Sequence, residues 1–157
     1  MPEVEYQVCL TEQQKKALLD IWNAEYPQQL CMPGMAEFNA YLSMLINPQY
    51  LLLKIGKGDI IGWAASFTRD GMRCFLIMLK SKAQGKGYGA LLIDALKGKE
   101  DALFGWAVDH DRYLKIDGTP YASPLYFYQK NGFTINNNLR LETDILSAVG
   151  VSWKGRC

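Results

Sequence analysis

Six residues, Gln84-Gly85-Lys86-Gly87-Tyr88-Gly89, limit what this chain can fold into more than any other stretch, because of what stands on either side of them. From Cys74 to Leu79 the residues Cys, Phe, Leu, Ile, Met and Leu run unbroken, the composition of a strand buried on both faces. From Tyr88 the apolar residues Tyr88, Leu91, Leu92, Ala95 and Leu96 recur at helical spacing and stop at Lys97-Gly98. Alternating glycines therefore join a strand to a helix N-terminus, where backbone without Cβ atoms lets successive N–H groups converge on one anion. Lys86 adds a positive charge. The same residues also suit a tight turn that merely lets helix and sheet approach closely, so the rest of the chain has to decide.

A P-loop is excluded, because Gly89 is followed by Ala90-Leu91 where Lys and then Ser or Thr are required. The dinucleotide fingerprint G-x-G-x-x-[GA] matches Gly85, Gly87 and Ala90, with Asp109 at a suitable distance. Against it, the polar Lys80 to Gln84 separate the turn from its strand, and the 48 residues after Asp109 are too few for a doubly wound domain. The stretch resembles more closely the signature [RQ]-x-x-G-x-[GA] of the GNAT superfamily of acyl-CoA-dependent N-acyltransferases. Downstream, Tyr128-Gln129-Lys130-Asn131-Gly132-Phe133 resembles the family's Y-x-K-x-G-F segment.

The resemblance implies an α/β fold: a mixed, mostly antiparallel sheet flanked by helices, with two parallel strands splayed apart to admit a pantetheine arm. It implies acetyl-CoA as co-substrate, its pyrophosphate taken by Gln84, Gly85, Lys86, Gly87, Tyr88 and Gly89. Backbone N–H near Leu79, at a distortion in the central strand, would polarise the thioester carbonyl, and Tyr128 would give a proton to the departing thiolate. Where the histone-acetylating branch has a glutamate on the central strand, this chain has Arg73, and no carboxylate lies from Met72 to Leu79. That leaves Asp109 and His110, beside Asp111, as the candidate base or amine-holding groups, since imidazole is the ordinary proton acceptor of neutral pH. A solvated charged loop is the alternative for them, and Glu25 and Glu37 stand behind them as further candidates. The expected reaction is acetyl transfer to a primary amine of a small molecule or peptide by direct attack in a ternary complex. A non-catalytic acyl-CoA-binding or regulatory domain is a second reading, and the dinucleotide-binding enzyme a third.

The remaining pattern fits one domain over residues 1–157. Val4 to Leu10 reads as a strand, and Thr11 with Gln14 as a capping box opening a helix whose stripe is Leu18, Ile21 and Trp22. Phe38, Tyr41, Leu42 and Leu45 mark a second helix ending at Asn47-Pro48. Tyr50 to Ile55 and Ile60 to Thr68 form a hairpin about Gly56-Lys57-Gly58, and Arg69-Asp70-Gly71 turns into the central strand. Leu103 to Val108 should lie parallel to that strand, followed by a loop from Asp109 to Ala122. Ser123-Pro124 reads as N-cap and N1 of a short helix stopped by Asn131-Gly132. Phe133 to Ile135 and Leu139 to Ile145, joined through Asn136-Asn137-Asn138, read as a final hairpin.

A net charge of +1 argues against nucleic acid as partner and gives no polybasic membrane patch. Apolar runs fall far short of the ~20 residues of a membrane span. The amino-terminal Met1-Pro2-Glu3-Val4-Glu5 lacks a signal-peptide pattern, so the expectation is a cytoplasmic monomer or homodimer. Cys9, Cys31, Cys74 and Cys157 are expected reduced, Cys74 as a small buried hydrophobe, and with one histidine no metal site is expected.

Overall fold

The computed structural model describes residues 1–155, so Cys157 lies outside the described residues. In chain order the elements are β1 (Glu3–Gln7), α1 (Glu12–Glu25), α2 (Met35–Ser43), β2 (Ile46–Ile55), β3 (Asp59–Arg69), β4 (Met72–Leu79), α3 (Tyr88–Lys99), β5 (Ala102–Ala107), α4 (Leu125–Lys130), β6 (Thr134–Glu142) and β7 (Ser147–Lys154). The seven strands form one sheet in the order β1-β2-β3-β4-β5-β7-β6. Every neighbouring pair is antiparallel except β4 and β5. A doubly wound dinucleotide domain needs a largely parallel sheet, so that reading is overturned. No helix among the described residues is long and apolar enough to cross a membrane.

Two apolar layers sandwich the sheet. On one face α1 and α2 bury Leu18, Trp22 and Phe38 against Trp63, Cys74, Leu76 and Met78; on the other α3 buries Leu92, Ile93 and Leu96 against Leu51, Leu53, Phe75 and Leu103. Alternation along each strand assigns the faces: Cys74, Leu76 and Met78 look toward α1, and Phe75, Ile77 and Leu79 toward α3. The capping box at α1 forms as expected, with Thr11 Oγ1 accepting from Gln14 N–H at 3.1 Å and Gln14 Oε1 accepting from Thr11 N–H at 2.9 Å. Leu91, expected on the α3 stripe, is instead exposed, and Ile93 is buried in its stead. The buried stripe is centred on Leu92 and Leu96, and Leu91 falls just off its edge.

The carboxy-terminal hairpin differs from the sequence expectation. Asn136 to Asn138 is no turn: β6 runs through it, and its register to β7 jumps from Asn136↔Gly150 to Arg140↔Val149, so residues 137–139 bulge out. No positive φ occurs there, and a tight hairpin turn ordinarily needs one. The real turn is Thr143 to Leu146, closed by Thr143 N–H to the Leu146 carbonyl at 2.8 Å. Strand β7, unassigned from the sequence, inserts between β5 and β6. At α4 the helix begins one residue later than expected, with Pro124 at the cap; Ser123 Oγ accepts from Leu125 N–H at 3.3 Å and donates to the Val108 carbonyl at 2.6 Å.

Candidate functional site

Strands β4 and β5 pair only at Cys74↔Phe104 and separate beyond it. From there to Leu79 and Val108 they leave a gap through the middle of the sheet. The register of β3 to β4 is unbroken from Arg69↔Met72 to Gly62↔Leu79, so the distortion expected in the central strand is absent. None is needed to free a donor. Lys80 N–H bonds the Ile61 carbonyl at 2.8 Å, so by the alternation of an antiparallel ladder Leu79 and Ile77 turn their own N–H and C=O groups away from β3, into the gap. Gln84 Nε2 reaches the Leu79 carbonyl from that side at 2.9 Å, tying the glycine loop to the strand end.

Beyond β4 a short 3-10 turn (Ser81–Ala83) leads into the loop, where Gly85 and Gly87 take φ of 77° and 82°. Gly87 caps α3 without a side-chain bond. The N–H groups from Gly85 to Ala90 have no partner among the described residues, the first helical bond being Leu91 N–H to the Gly87 carbonyl. Six free donors at the N-terminus of a twelve-residue helix suit a pyrophosphate, and the helix dipole adds about half a positive charge. The three glycines differ in purpose. A Cβ at Gly85 or Gly87 would meet nothing within 4 Å, whereas one at Gly89 would lie 2.8 Å from the Phe127 ring. Gly89 therefore serves helix packing, and Gly85 and Gly87 serve backbone conformation.

Tyr128 on α4 is buried, edge-on to Phe75 at 5.6 Å and tilted against Phe133 at 5.5 Å. Burial, with a smaller contribution from Tyr121, raises its phenol far above the ordinary range, so it stays protonated. Its hydroxyl makes no hydrogen bond among the described residues. Tyr26, at the end of α1 on the opposite face, is likewise pushed up by burial and by the nearby Tyr121 and Tyr128 phenols. Tyr121, in the loop after β5, is pushed up to about 12 by burial. Nothing in the sequence motifs marked Tyr26 or Tyr121.

The candidate base residues each have hydrogen-bond partners within the chain. Arg140 holds Asp109 by two hydrogen bonds, 2.7 and 3.2 Å, keeping its carboxyl below the usual range. That carboxylate is committed to joining β5 to β6. His110 Nδ1 accepts from Arg112 N–H at 3.1 Å, so the proton of the neutral ring sits on Nε2, and neither nitrogen offers a free lone pair. Nε2 is buried without a hydrogen-bond partner, and the ring lies edge-on to Tyr113 at 4.4 Å. Asp111 turns instead to Ser123 N–H at 2.7 Å. Glu25 accepts from Ser81 N–H and Oγ at 3.0 and 2.7 Å and from Lys115 Nζ at 3.2 Å. Lys115 also donates to Ser81 Oγ at 3.0 Å, so α1, the loop after β4 and the loop after β5 meet at one ion pair whose side chains are 15% and 11% exposed. Glu37 lies exposed in the first turn of α2. Arg73 sits at the opposite end of β4, bonded to Glu100, Ser66, Thr68 and the Asn47 carbonyl.

A family model described as acetyltransferase (GNAT) domain matches residues 47–135, more than half of the chain. Among solved structures, the chain is similar to an acetyltransferase of the GNAT family from Staphylococcus aureus Mu50 at 14% identity and a TM-score of 0.67, covering 98% of this chain and 100% of that one. It is similar to an aminoglycoside 6'-N-acetyltransferase complexed with coenzyme A at 12% identity and a TM-score of 0.70, covering 97% and 96%. A phosphinothricin acetyltransferase of the GNAT superfamily from Sinorhizobium meliloti, in complex with AcCoA, is 15% identical with a TM-score of 0.68, covering 97% and 89%. No curated protein sequence matches significantly. At these identities the structural likeness speaks for the fold.

Proposed function

The chain belongs to the GNAT acetyltransferase domain family, and from that premise we propose that it transfers an acetyl group from acetyl-CoA to a primary amine by direct attack in a ternary complex. The observation that carries the reading is the run of unpartnered N–H groups from Gly85 to Ala90, set beside the mouth of the gap between β4 and β5. In this reading the pyrophosphate lies on those donors and the thioester lies in the gap. The Leu79 and Ile77 N–H groups face the carbonyl oxygen, in the manner of an oxyanion hole. The amine nitrogen bonds to the acetyl carbon, the carbon–sulfur bond breaks, and the amine proton leaves to water. Tyr128, protonated at every working pH, donates a hydrogen bond to the sulfur as charge develops there.

Comparing acetyl-CoA, CoA, NAD and ATP by thermal shift tests the site, because a ligand of the native state stabilises it by mass action. Acetyl-CoA and CoA are expected to raise the melting temperature, and NAD and ATP to do so far less. Equal shifts with all four would refute the assignment. Turnover over an amine panel then separates the transferase from a domain that only binds acyl-CoA.

A further inference from the structure

Beside the gap, on the face of the sheet opposite α3, helix α1 packs on β3 and β4, and among the described residues no helix packs substantially on β5, β7 or β6. On β5 the residues looking that way are Phe104 and Trp106, half-buried, with their rings edge-to-face at 5.1 Å. Their cross-strand neighbours on β7 are small: Ser152 opposite Phe104, and Gly150 opposite Trp106. A Cβ at Gly150 would stand 3.0 Å from Leu139 and 3.2 Å from Phe104, so the missing side chain is what lets the two meet. Leu139 comes from the three-residue bulge of β6 and is 40% exposed. Phe104, Trp106, Gly150 and Leu139 thus form a continuous apolar shelf. It starts at Phe104, the last residue of β5 paired to β4, and Trp106 follows just beyond the point of separation.

The geometry points to this shelf as the seat of the acceptor: a monoamine with an aromatic or large apolar body, lying on Phe104 and Trp106 with its nitrogen at the gap. This rests on the acetyl-transfer reading and names its substrate class. Continuity argues for the occupant, since a nucleophile approaching the gap from the face opposite α3 along β5 crosses Trp106. Charge argues against the alternatives. The carboxylates that could receive a polycation at this end are held elsewhere, Glu25 by Ser81 and Lys115, Asp109 by Arg140, and Asp111 by Ser123. With no free base among them, the acceptor must itself present a neutral nitrogen, which an α-amino group does appreciably near its pKa of about 8. An aromatic body on an aromatic shelf gains by area and by edge or offset stacking.

The test measures kcat/KM with acetyl-CoA for tryptophanamide, phenylalaninamide, glycinamide, spermidine and kanamycin, on wild type, Trp106→Ala, Trp106→Phe and Leu139→Ala. Glycinamide carries the same kind of α-amine without the body. Tryptophanamide and phenylalaninamide are expected to exceed each of the other three by tenfold or more. Trp106→Ala should bring them down toward the glycinamide level mainly through KM, while glycinamide, which has no body to rest on the shelf, should lose far less than either. Trp106→Phe should keep most of the preference, and Leu139→Ala, on an exposed bulge, should lose a smaller part of it. Equal rates for the three amides, a preference for spermidine or kanamycin, or an unchanged ranking in both Trp106→Ala and Leu139→Ala would overturn the proposal. So would acetyl-CoA binding without acetylation of any of the five amines. Failure to bind acetyl-CoA at all would overturn the acetyl-transfer reading as well, and the thermal shift reports that separately.

Discussion

Gly87→Ala isolates the backbone contribution to cofactor binding. With φ at 82° and nothing within 4 Å of the new Cβ, the substitution brings no clash, only the left-handed conformation, which costs an L-residue about 1–2 kcal/mol. For a chain of 157 residues, an unfolding entropy of about 2.1 cal/mol/K per residue gives about 0.33 kcal/mol/K, so the apo protein should melt about 3–6 °C lower. Acetyl-CoA at about a hundred times its wild-type dissociation constant adds about 2.7 kcal/mol, a shift of about 8 °C. Where the substituted residue relieves that strain by leaving the left-handed region, its N–H turns out of line, and losing one charge-assisted hydrogen bond weakens binding by about 1.5–3 kcal/mol, ten- to a hundredfold. The ligand shift in Gly87→Ala should then fall to about 1–4 °C at the same concentration. Differential scanning fluorimetry with and without acetyl-CoA reads both quantities. An apo loss of the expected size with the full 8 °C ligand shift would refute the assignment of these N–H groups to the pyrophosphate. Gly89→Ala is the contrast: its Cβ meets the Phe127 ring at 2.8 Å, so it lowers stability through α3–α4 packing and does not diagnose binding.

Tyr128→Phe keeps the ring against Phe75 and Phe133 and should lower kcat by about ten- to a thousandfold with little change in acetyl-CoA affinity; an unchanged kcat would leave Tyr128 a packing residue. Asp109 is bound to Arg140 and its folded-state pKa lies below the unfolded one, so its contribution is present above about pH 4 and lost as pH falls through the folded value. Asp109→Asn should therefore cost about 0.5 kcal/mol at pH 7, discounted for solvent screening, and narrow to nothing in acid; a urea-melt difference that grows in acid would contradict the ion pair. Lys115→Met removes one side of the largely buried pair with Glu25 and should cost about 2 kcal/mol, reduced by the Ser81 bonds that remain. Hydrogen exchange should then quicken at residues 113–121, and unchanged exchange there would show that the backbone bond from Gln28 N–H to the Leu114 carbonyl holds the loop alone.

What could be read from the sequence was what local chemistry alone decides. The capping box at Thr11, the positive φ at Asp70 and Gly71, and the strand–glycine–helix passage through Gln84 depend on residues adjacent in the chain. The parallel relation of β4 and β5 followed from the helix between them. Strand β7 escaped because Ser147 to Lys154 is broken by Gly150, and Gly150 is explained only by Leu139 and Phe104, which reach it from other strands. The asparagine run misled for a related reason: its composition is that of a turn, while its conformation is that of a bulge fixed by pairing to β7. Tyr26 and Tyr121 lie far apart in sequence and on no motif, so nothing local marks the burial that raises both phenols.

The base shows the limit most sharply. Read in line, Asp109-His110-Asp111 is a cluster of acid and base groups; folded, its members diverge to Arg140, to Arg112 N–H and to Ser123 N–H. Each bond closes one side of the 109–122 loop, and Tyr113 adds another by accepting from Ser147 N–H at 2.8 Å. Lys115 fastens the far side to Glu25 and Ser81. The charge that composition made available for catalysis is thus used to hold that loop at the end of β5, beside the gap. A rigid mouth favours orientation of the two reactants over proton abstraction, and orientation alone can supply about 7–11 kcal/mol of a barrier. The demand for a neutral nitrogen then falls on the acceptor, so kcat/KM should rise with pH up to the acceptor's own pKa and follow that pKa from one amide to the next. An acidic limb that stays fixed while the acceptor changes would instead reveal a titrating group on the protein, and exposed Glu37 is the first to substitute.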